Sequence, residues 1–357
     1  MTDSLPIDTP FLAVDTDVMD RNLQRAADDA RRRGVALRPH AKTHKVPQIA
    51  QRQLALGAAG LTLATVSEAE VFADAGFTDI FIAYPVWPSE LRAKRMRSLA
   101  ERVSLRLGVD SVESAQALGR ALAGSTAQVM VEVDSGHHRS GAAPDQAGAV
   151  AASADRAGLQ VAGVFTFPGH GYSPTDLRQA ARDEADAVSI AAFMVERAGL
   201  QAPIRSGGSS PTRAATDTEV INELRPGVYV FNDSQQAELG VCEWGDIALT
   251  AHATVVSRRG NRVIVDAGSK VLGADRPGWA TGFGRLPDAP DARVVALSEH
   301  HATVQFPDGE STPERGSIIR IAPNHVCAAV NLVDELVVLQ GGAMVDRWQV
   351  AARGANS

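Results

Sequence analysis

The distribution of apolar positions divides the chain into two regimes. Up to about residue 238, short β-branched runs alternate with amphipathic, alanine-rich stretches. After a first run at 10–15 (PFLAVD) and a helix over roughly 16–33, runs at 35–41, 61–65, 80–84, 104–109, 128–133, 161–166, 203–206 and 224–231 predict eight strands. Helical patterns lie between them. SVESAQALGRALAG has a serine cap and a glycine stop, and ARDEADAVSIAAFMVERAG repeats its apolar positions at helical spacing. Eight strand–helix units in about two hundred residues predict a (β/α)8 barrel, preferred here over a doubly wound sheet, which gives a similar string. Beyond residue 240 the helical period fades. ALTAHATVVS, NRVIVDAG, ARVVALSE, HATVQF, GSIIRIAP and DELVVLQGG read as strands separated by turn residues. The expected class is therefore α/β: a barrel over 15–238, then an all-β domain over 239–357 that the segment 1–14 is able to join.

Composition narrows the function. The chain has 357 residues, 45% hydrophobic and 22% charged, which suits well-filled cores and excludes a disordered or fibrous chain. A net charge of -7 with scattered basic residues speaks against nucleic-acid binding. No apolar run is long enough to cross a bilayer, and the N-terminus lacks the basic and apolar regions of a secretory signal, so a cytoplasmic location is expected. The two cysteines, Cys242 and Cys327, fit a reducing compartment and leave each thiol available for metal or chemistry.

The candidate chemistry begins in RPHAKTHK, residues 38–45, at the end of the first barrel strand. Alternation puts Val35, Leu37, Pro39 and Ala41 on one face and Ala36, Arg38, His40 and Lys42 on the other. The polar face would point to the barrel mouth, and Lys42 inward if the strand persists that far. A lysine lowered in pKa by cationic neighbours and partial burial is a nucleophile for carbonyl compounds, the means by which pyridoxal phosphate is held as a Schiff base. The plain alternative is a set of solvated loop charges. Later strands end in QVMVEVDSGHHRSG, which places Glu132 and Asp134 on one parity ahead of Arg139, and in VFTFPGHGY, which delivers His170 and Tyr172. SGGSS (206–210) offers backbone N–H groups to a phosphate, although many turns look alike, and ELRPGVYVFNDSQ brings Tyr229. In the second region, His325 and Cys327 are two apart in IAPNHVCAAVNL and share a face in extended chain. Imidazole plus thiolate favours Zn²⁺, with positions left for water or substrate; a buried cysteine beside a bonded histidine is the ordinary alternative.

PHAKTHK, VEVDSGHHRSG, FPGHGY, SGGSSPT, ELRPGVYVFND, VDAGSK, LSEHH and PNHVC, in this order, resemble the D-threonine aldolase/D-serine dehydratase family of pyridoxal-phosphate enzymes. The resemblance runs from about residue 8 to 350, and PHxKxHK with a downstream HxC is its specific part. It implies the alanine-racemase-like fold, a (β/α)8 barrel with a C-terminal β-domain. It also implies roles: Lys42 holds pyridoxal 5'-phosphate and moves protons, Arg139 contacts its ring, and His170 (also a catalytic candidate) and Tyr172 line the pocket. Ser206, Gly207, Gly208 and Ser209 bind the phosphate, Tyr229 closes that end, and His325 and Cys327 hold a divalent metal, Zn²⁺ with Mn²⁺ or Mg²⁺ as alternatives. The implied reaction is dehydration of a D-β-hydroxy amino acid to a 2-oxo acid and ammonia, or retro-aldol cleavage to glycine and an aldehyde. Family dehydratases resemble His-x-Cys at the metal and aldolases His-x-Asp, so Cys327 tilts towards dehydration. A racemase needs a second base from the β-domain, usually tyrosine, and Tyr84, Tyr172 and Tyr229 all fall in the barrel region. A non-catalytic pyridoxal-phosphate carrier would not need residues 240–357. A homodimer is expected by analogy of fold, and LSEHH offers His300 and His301 as candidate substrate contacts whose reach to the site the sequence leaves open.

Overall fold

The computed structural model describes residues 7–357. They cluster into two compact units: one of Ala26–Lys42, Ile49–Gly227 and Ala355–Ser357, the other of the described residues up to Arg25 with Thr43–Gln48 and Val228–Gly354.

Chain order starts with β1 (Phe11–Asp15) and α1 (Thr16–Arg32), the run and helix expected at 10–33. The strand–helix series follows as β2 (Ala36–Leu37), α2 (Pro47–Ala55), β3 (Leu61–Leu63), α3 (Val66–Asp74), β4 (Asp79–Pro85), α4 (Glu90–Ala100), β5 (Ser104–Val109) and α5 (Val112–Ala121). It continues with β6 (Gln128–Glu132), α6 (Ala147–Arg156), β7 (Gln160–Phe165), α7 (Leu177–Arg197), β8 (Ile204–Gly207) and β9 (Glu223–Leu224). Strands β2 to β9 form one parallel sheet in the order β2-β9-β8-β7-β6-β5-β4-β3. A parallel bridge between His40 and Thr62 and a 2.8 Å bond from Thr62 N–H to Pro39 O join β2 to β3, which closes the barrel.

Local chemistry accounts for the elements. Thr65, Ser89 and Ser111 cap α3, α4 and α5 with their hydroxyls, Ser111 in a reciprocal capping box with Ser114. On the strands, Leu61, Leu63, Ile80, Ile82, Leu105 and Leu107 are fully buried. Phe81, Met130, Ala162 and Phe165 form a cluster of their own, Phe81 and Phe165 edge to face at 5.0 Å. The first and last barrel strands are shorter than the expected 35–41 and 224–231. Pro39 and Pro226 lack the N–H a ladder requires, and the chain turns beyond each.

The second unit holds β10 (Leu249–Arg259), β11 (Arg262–Val265), β12 (Gly284–Leu286), β13 (Ala289–Leu297), β14 (Ala302–Gln305), β15 (Ile318–Pro323), β16 (Glu335–Gln340) and β17 (Ala343–Gln349). The order β10-β11-β14-β13-β12-β15 returns to β10 as an antiparallel ring. The early part of β10 also pairs with β1, followed by β16 and β17. The run at 10–15 is thus a strand of this sheet. Among the described residues no helix is long and apolar enough to cross a membrane.

Candidate active site

RPHAKTHK divides among separate tasks. Arg38 enters the barrel interior, 1% exposed, where its Nε donates to Glu223 Oε2 at 2.7 Å and its Nη1 to Asp79 Oδ1 at 2.8 Å. Burial works against the charge on Glu223, yet Arg38 beside it holds the carboxyl below the usual range. His40 is two residues further along the same face. Its Nδ1 is buried without a hydrogen-bond partner, and burial, then the charges of Lys42, Arg225 and Arg139, push the imidazole well below its ordinary value. Lys42, half-buried, lies in the 3-10 turn Ala41–Thr43, so the strand parity does not carry as far as this residue. The turn after Pro39 places it at the C-terminal end of the barrel strands instead, and its charge still reaches His40. Lys45 belongs to the second unit, where Nζ donates to Asn331 Oδ1 at 2.8 Å.

The ends of β6 and β7 supply the next groups. Glu132, 2% exposed, accepts from Ser140 Oγ at 3.1 Å, and burial pushes its carboxyl up to about 7 against Ser140, Arg139 and Arg225. The Arg139 guanidinium lies 5.1 Å from the centre of the Phe167 ring. Tyr172 is half-buried, its ring 6.3 Å from Phe167. His170 Nε2 is 3.1 Å from Asp183 Oδ2 of α7, while its Nδ1 is buried and unpartnered.

The loop after β8 differs from expectation at its first residue. The Ser206 hydroxyl is committed to the barrel interior, donating to Glu223 Oε1 at 2.7 Å and accepting from Arg225. Its donor hydrogen is used, because the strand register turns it inward beside β9. Gly208, at φ +75°, donates its N–H to Glu184 Oε1 at 2.6 Å, and Ser209 N–H donates to Thr212 Oγ1 at 3.0 Å. Arg225, just past β9, is buried with its guanidinium over Phe165 and Phe81 at 5.2 and 5.7 Å. Tyr229 is buried in the turn Val228–Val230, which groups with the second unit and not with the barrel, so one of the three tyrosines lies outside the barrel unit. Pro226 ends the pairing of β9 two residues before that turn.

In the second unit, His325 and Cys327 come together without an extended backbone. His325 is the N-cap of the short helix Val326–Val330 and Cys327 lies in its first turn. The negative charge of Cys327 holds the imidazole well above its ordinary value; burial opposes this and Asp233 assists. His325 Nδ1 lies 3.4 Å from Asp233 Oδ2 without hydrogen-bond alignment, and Cys327 Sγ is 3.3 Å from Thr43 Oγ1. Among the described residues no three His, Cys, Asp or Glu side chains converge as a metal cage. His300 and His301 are exposed in a turn closed by Ser298 N–H on His301 O.

Both implied groups suit these residues. Lys42, Arg139 and Arg225 act together on a histidine whose buried Nδ1 lacks a partner, an environment that favours an anionic carbonyl cofactor. The imidazole–thiol pair, with a buried nitrogen unsatisfied, suits a borderline-soft divalent ion.

Residues 14–235 match the model of the alanine racemase N-terminal domain, and residues 248–339 that of a putative serine dehydratase domain. The D-threo-3-hydroxyaspartate dehydratase of Delftia sp. is 34% identical, covering 97% of both chains. The chain belongs to the D-threonine aldolase/D-serine dehydratase family of pyridoxal-phosphate lyases. The family's D-threonine aldolase of Arthrobacter sp. is 34% identical over 98% of this chain and 93% of its own. In structure, the Delftia enzyme superposes at a TM-score of 0.89 over 96% of this chain and 97% of its own. The D-threonine aldolase of Filomicrobium marinum does so at 0.88, with 33% identity, over 98% and 96%.

Four residues at this family site escaped the sequence reading: Arg225, Glu223, Glu184 and Asp183. Glu184 left a signal, since it interrupts a helical stripe of Ala180, Ala181, Ala185, Val188 and Ala191 with a carboxyl that a core cannot accept unpaired. Arg225 follows a strand directly in ELRPG, a weaker cue. Asp183 has none, being one acid among several on α7.

Proposed function

We propose that this family member is a D-serine/D-threonine-type dehydratase that converts a D-β-hydroxy amino acid to a 2-oxo acid and ammonia, using pyridoxal phosphate and a divalent metal. The observation that carries the dehydratase reading is the thiol of Cys327 in the first turn of the helix that His325 caps. It is supported by a solved cysteine-to-alanine mutant of a D-threo-3-hydroxyaspartate dehydratase in the metal-free form, another solved mutant replacing a histidine two residues earlier.

Pyridoxal phosphate, when bound, supplies an electron sink that weakens the bonds at the substrate Cα. Lys42 would hold the cofactor, and its amine would take the substrate's Cα proton as the β-hydroxyl departs, proton and hydroxyl leaving together as water. Arg139 and Arg225 favour the anionic groups of cofactor and substrate, and the neutral form of Glu132, balanced near pH 7, avoids cancelling that charge. The Gly207–Ser209 loop would bind the phosphate, its Gly208 and Ser209 N–H groups being held in place by Glu184 and Thr212, and the committed Ser206 hydroxyl orients the loop. His170, oriented by Asp183, and Tyr172 line the substrate side. His325 and Cys327 would hold a divalent ion such as Zn²⁺, which would supply Lewis acidity. The working form is a cytoplasmic homodimer.

A second reading is favoured by the two aldolases, which are as similar to this chain as the dehydratase is. In that reading the same residues release glycine and an aldehyde. Product analysis with D-threonine on cofactor-loaded protein, after chelation and with Zn²⁺ or Mn²⁺ restored, separates the two. Metal-dependent 2-oxobutanoate supports dehydration; glycine with acetaldehyde replaces it by the aldolase reading.

A further inference from the structure

We infer that Glu184, midway along α7, is the positioning residue of the Gly207–Ser209 loop and thereby sets how tightly the barrel holds a phosphate monoester. The inference rests on reading that loop as the phosphate site.

Glu184 is 0% exposed, and its carboxylate oxygens accept from Gly208 and Thr216, both in the segment after β8. Oε1 accepts from Gly208 N–H at 2.6 Å, at the start of that segment, and Oε2 from Thr216 Oγ1 at 3.4 Å, eight residues further on. A Cβ on Gly207 would stand 2.4 Å from Oε1, so no side chain fits between glutamate and loop. Gly208 adopts φ +75°, a backbone state most residues avoid, and the glutamate bond lies at that residue. A carboxyl in an otherwise alanine and valine stripe is unfavourable unless bonded, and its partners here are the loop at Gly208 and the turn beyond it at Thr216.

Burial pushes the Glu184 carboxyl up to about 7, against Gly208, Arg225 and Thr216; Arg225 is the charged side chain acting on it. Near neutrality it therefore exchanges a proton, and an anionic ester arriving at the loop favours the protonated form. Affinity for the ester accordingly falls as pH rises and Glu184 ionises, beyond any change due to the ester itself.

The test is equilibrium binding, by absorbance, of pyridoxal phosphate and of pyridoxal, which lacks the phosphate, across about pH 6 to 8. Wild type, Glu184→Ala and Glu184→Gln are compared. Glu184→Ala is expected to weaken pyridoxal phosphate by more than about tenfold while pyridoxal changes by less than about threefold. Glu184→Gln keeps an acceptor for Gly208 N–H, so it should retain most affinity at low pH and lose the extra decline seen in wild type. A folded Glu184→Ala protein with wild-type preference for the phosphate ester would overturn the inference. So would Glu184→Gln with an unchanged pH profile, which decides the matter if the alanine variant does not fold. If wild type itself shows no preference for pyridoxal phosphate over pyridoxal, the loop is not the phosphate site and the reading beneath the inference fails.

Discussion

Replacing Arg38 with methionine isolates the charged layer inside the barrel. The guanidinium bonds Glu223 at 2.7 Å and Asp79 at 2.8 and 3.2 Å, and Glu223 lies beyond the reach of bulk water. Removing one partner of a buried pair costs about 3–5 kcal/mol, mainly because the remaining charge is left uncompensated. Asp79 is a third exposed and adds little, and Arg106 remains 3.5 Å from Glu223, so the lower end, about 3 kcal/mol, is expected. With an unfolding entropy of about 2.1 cal/mol/K per residue and a cooperative unit of roughly two hundred residues, that lowers the barrel's Tm by about 7 °C. The pH dependence gives a sharper check. In wild type the Glu223 carboxyl is depressed, so its contribution is present above its unfolded value and lost as pH falls. In the variant, burial dominates and raises it, so the deficit grows as pH rises above the unfolded glutamate value of about 4.3. Thermal denaturation of wild type and Arg38→Met at pH 5 and pH 8, with Arg38→Met/Glu223→Gln as control, measures this. A penalty equal at both pH values, or one that the second substitution does not reduce, would refute the reasoning.

Other outcomes follow from the site. Lys42→Ala should abolish the bound-cofactor absorbance band and lower turnover by at least about 10²–10⁴, measured with D-serine and D-threonine. His325→Ala and Cys327→Ala should each lower bound zinc, read by elemental analysis, with metal-dependent activity falling by more than the ~10–100-fold typical of a supporting residue. Gly208→Ala forces a Cβ to 2.8 Å from Leu224 Cδ2 at φ +75°, so denaturation should show a loss of about 1–3 kcal/mol; a neutral result would mean the loop adapts.

Much of the fold was legible because its signal is local. The strand–helix alternation to residue 224, the serine caps and the change of period near 240 each depend on neighbours within a turn or two. Lys42 was found at the right end of the first strand, though for a partly mistaken reason: alternation holds for Arg38 and His40 and gives way to a 3-10 turn before Lys42. His325 and Cys327 were expected to share a face in extended chain; a helix start, and not an extended strand, sets them side by side.

What the sequence by itself determined is the inventory: a barrel's worth of strands and helices, a trailing β-domain, and a lysine, histidines, an arginine and a thiol in a family-specific order. The tertiary structure alone decided which polar side chains are spent on the scaffold. Ser206 looked available and is consumed by Glu223 and Arg225; Glu184, a carboxyl in an apolar stripe, finds its partner in the loop after β8; the run at 10–15 pairs with strands more than two hundred residues away. The physical reason is common to all three. Burial and hydrogen-bond commitment depend on partners far apart in the chain, and periodicity records only which face a residue lies on, not what meets it there.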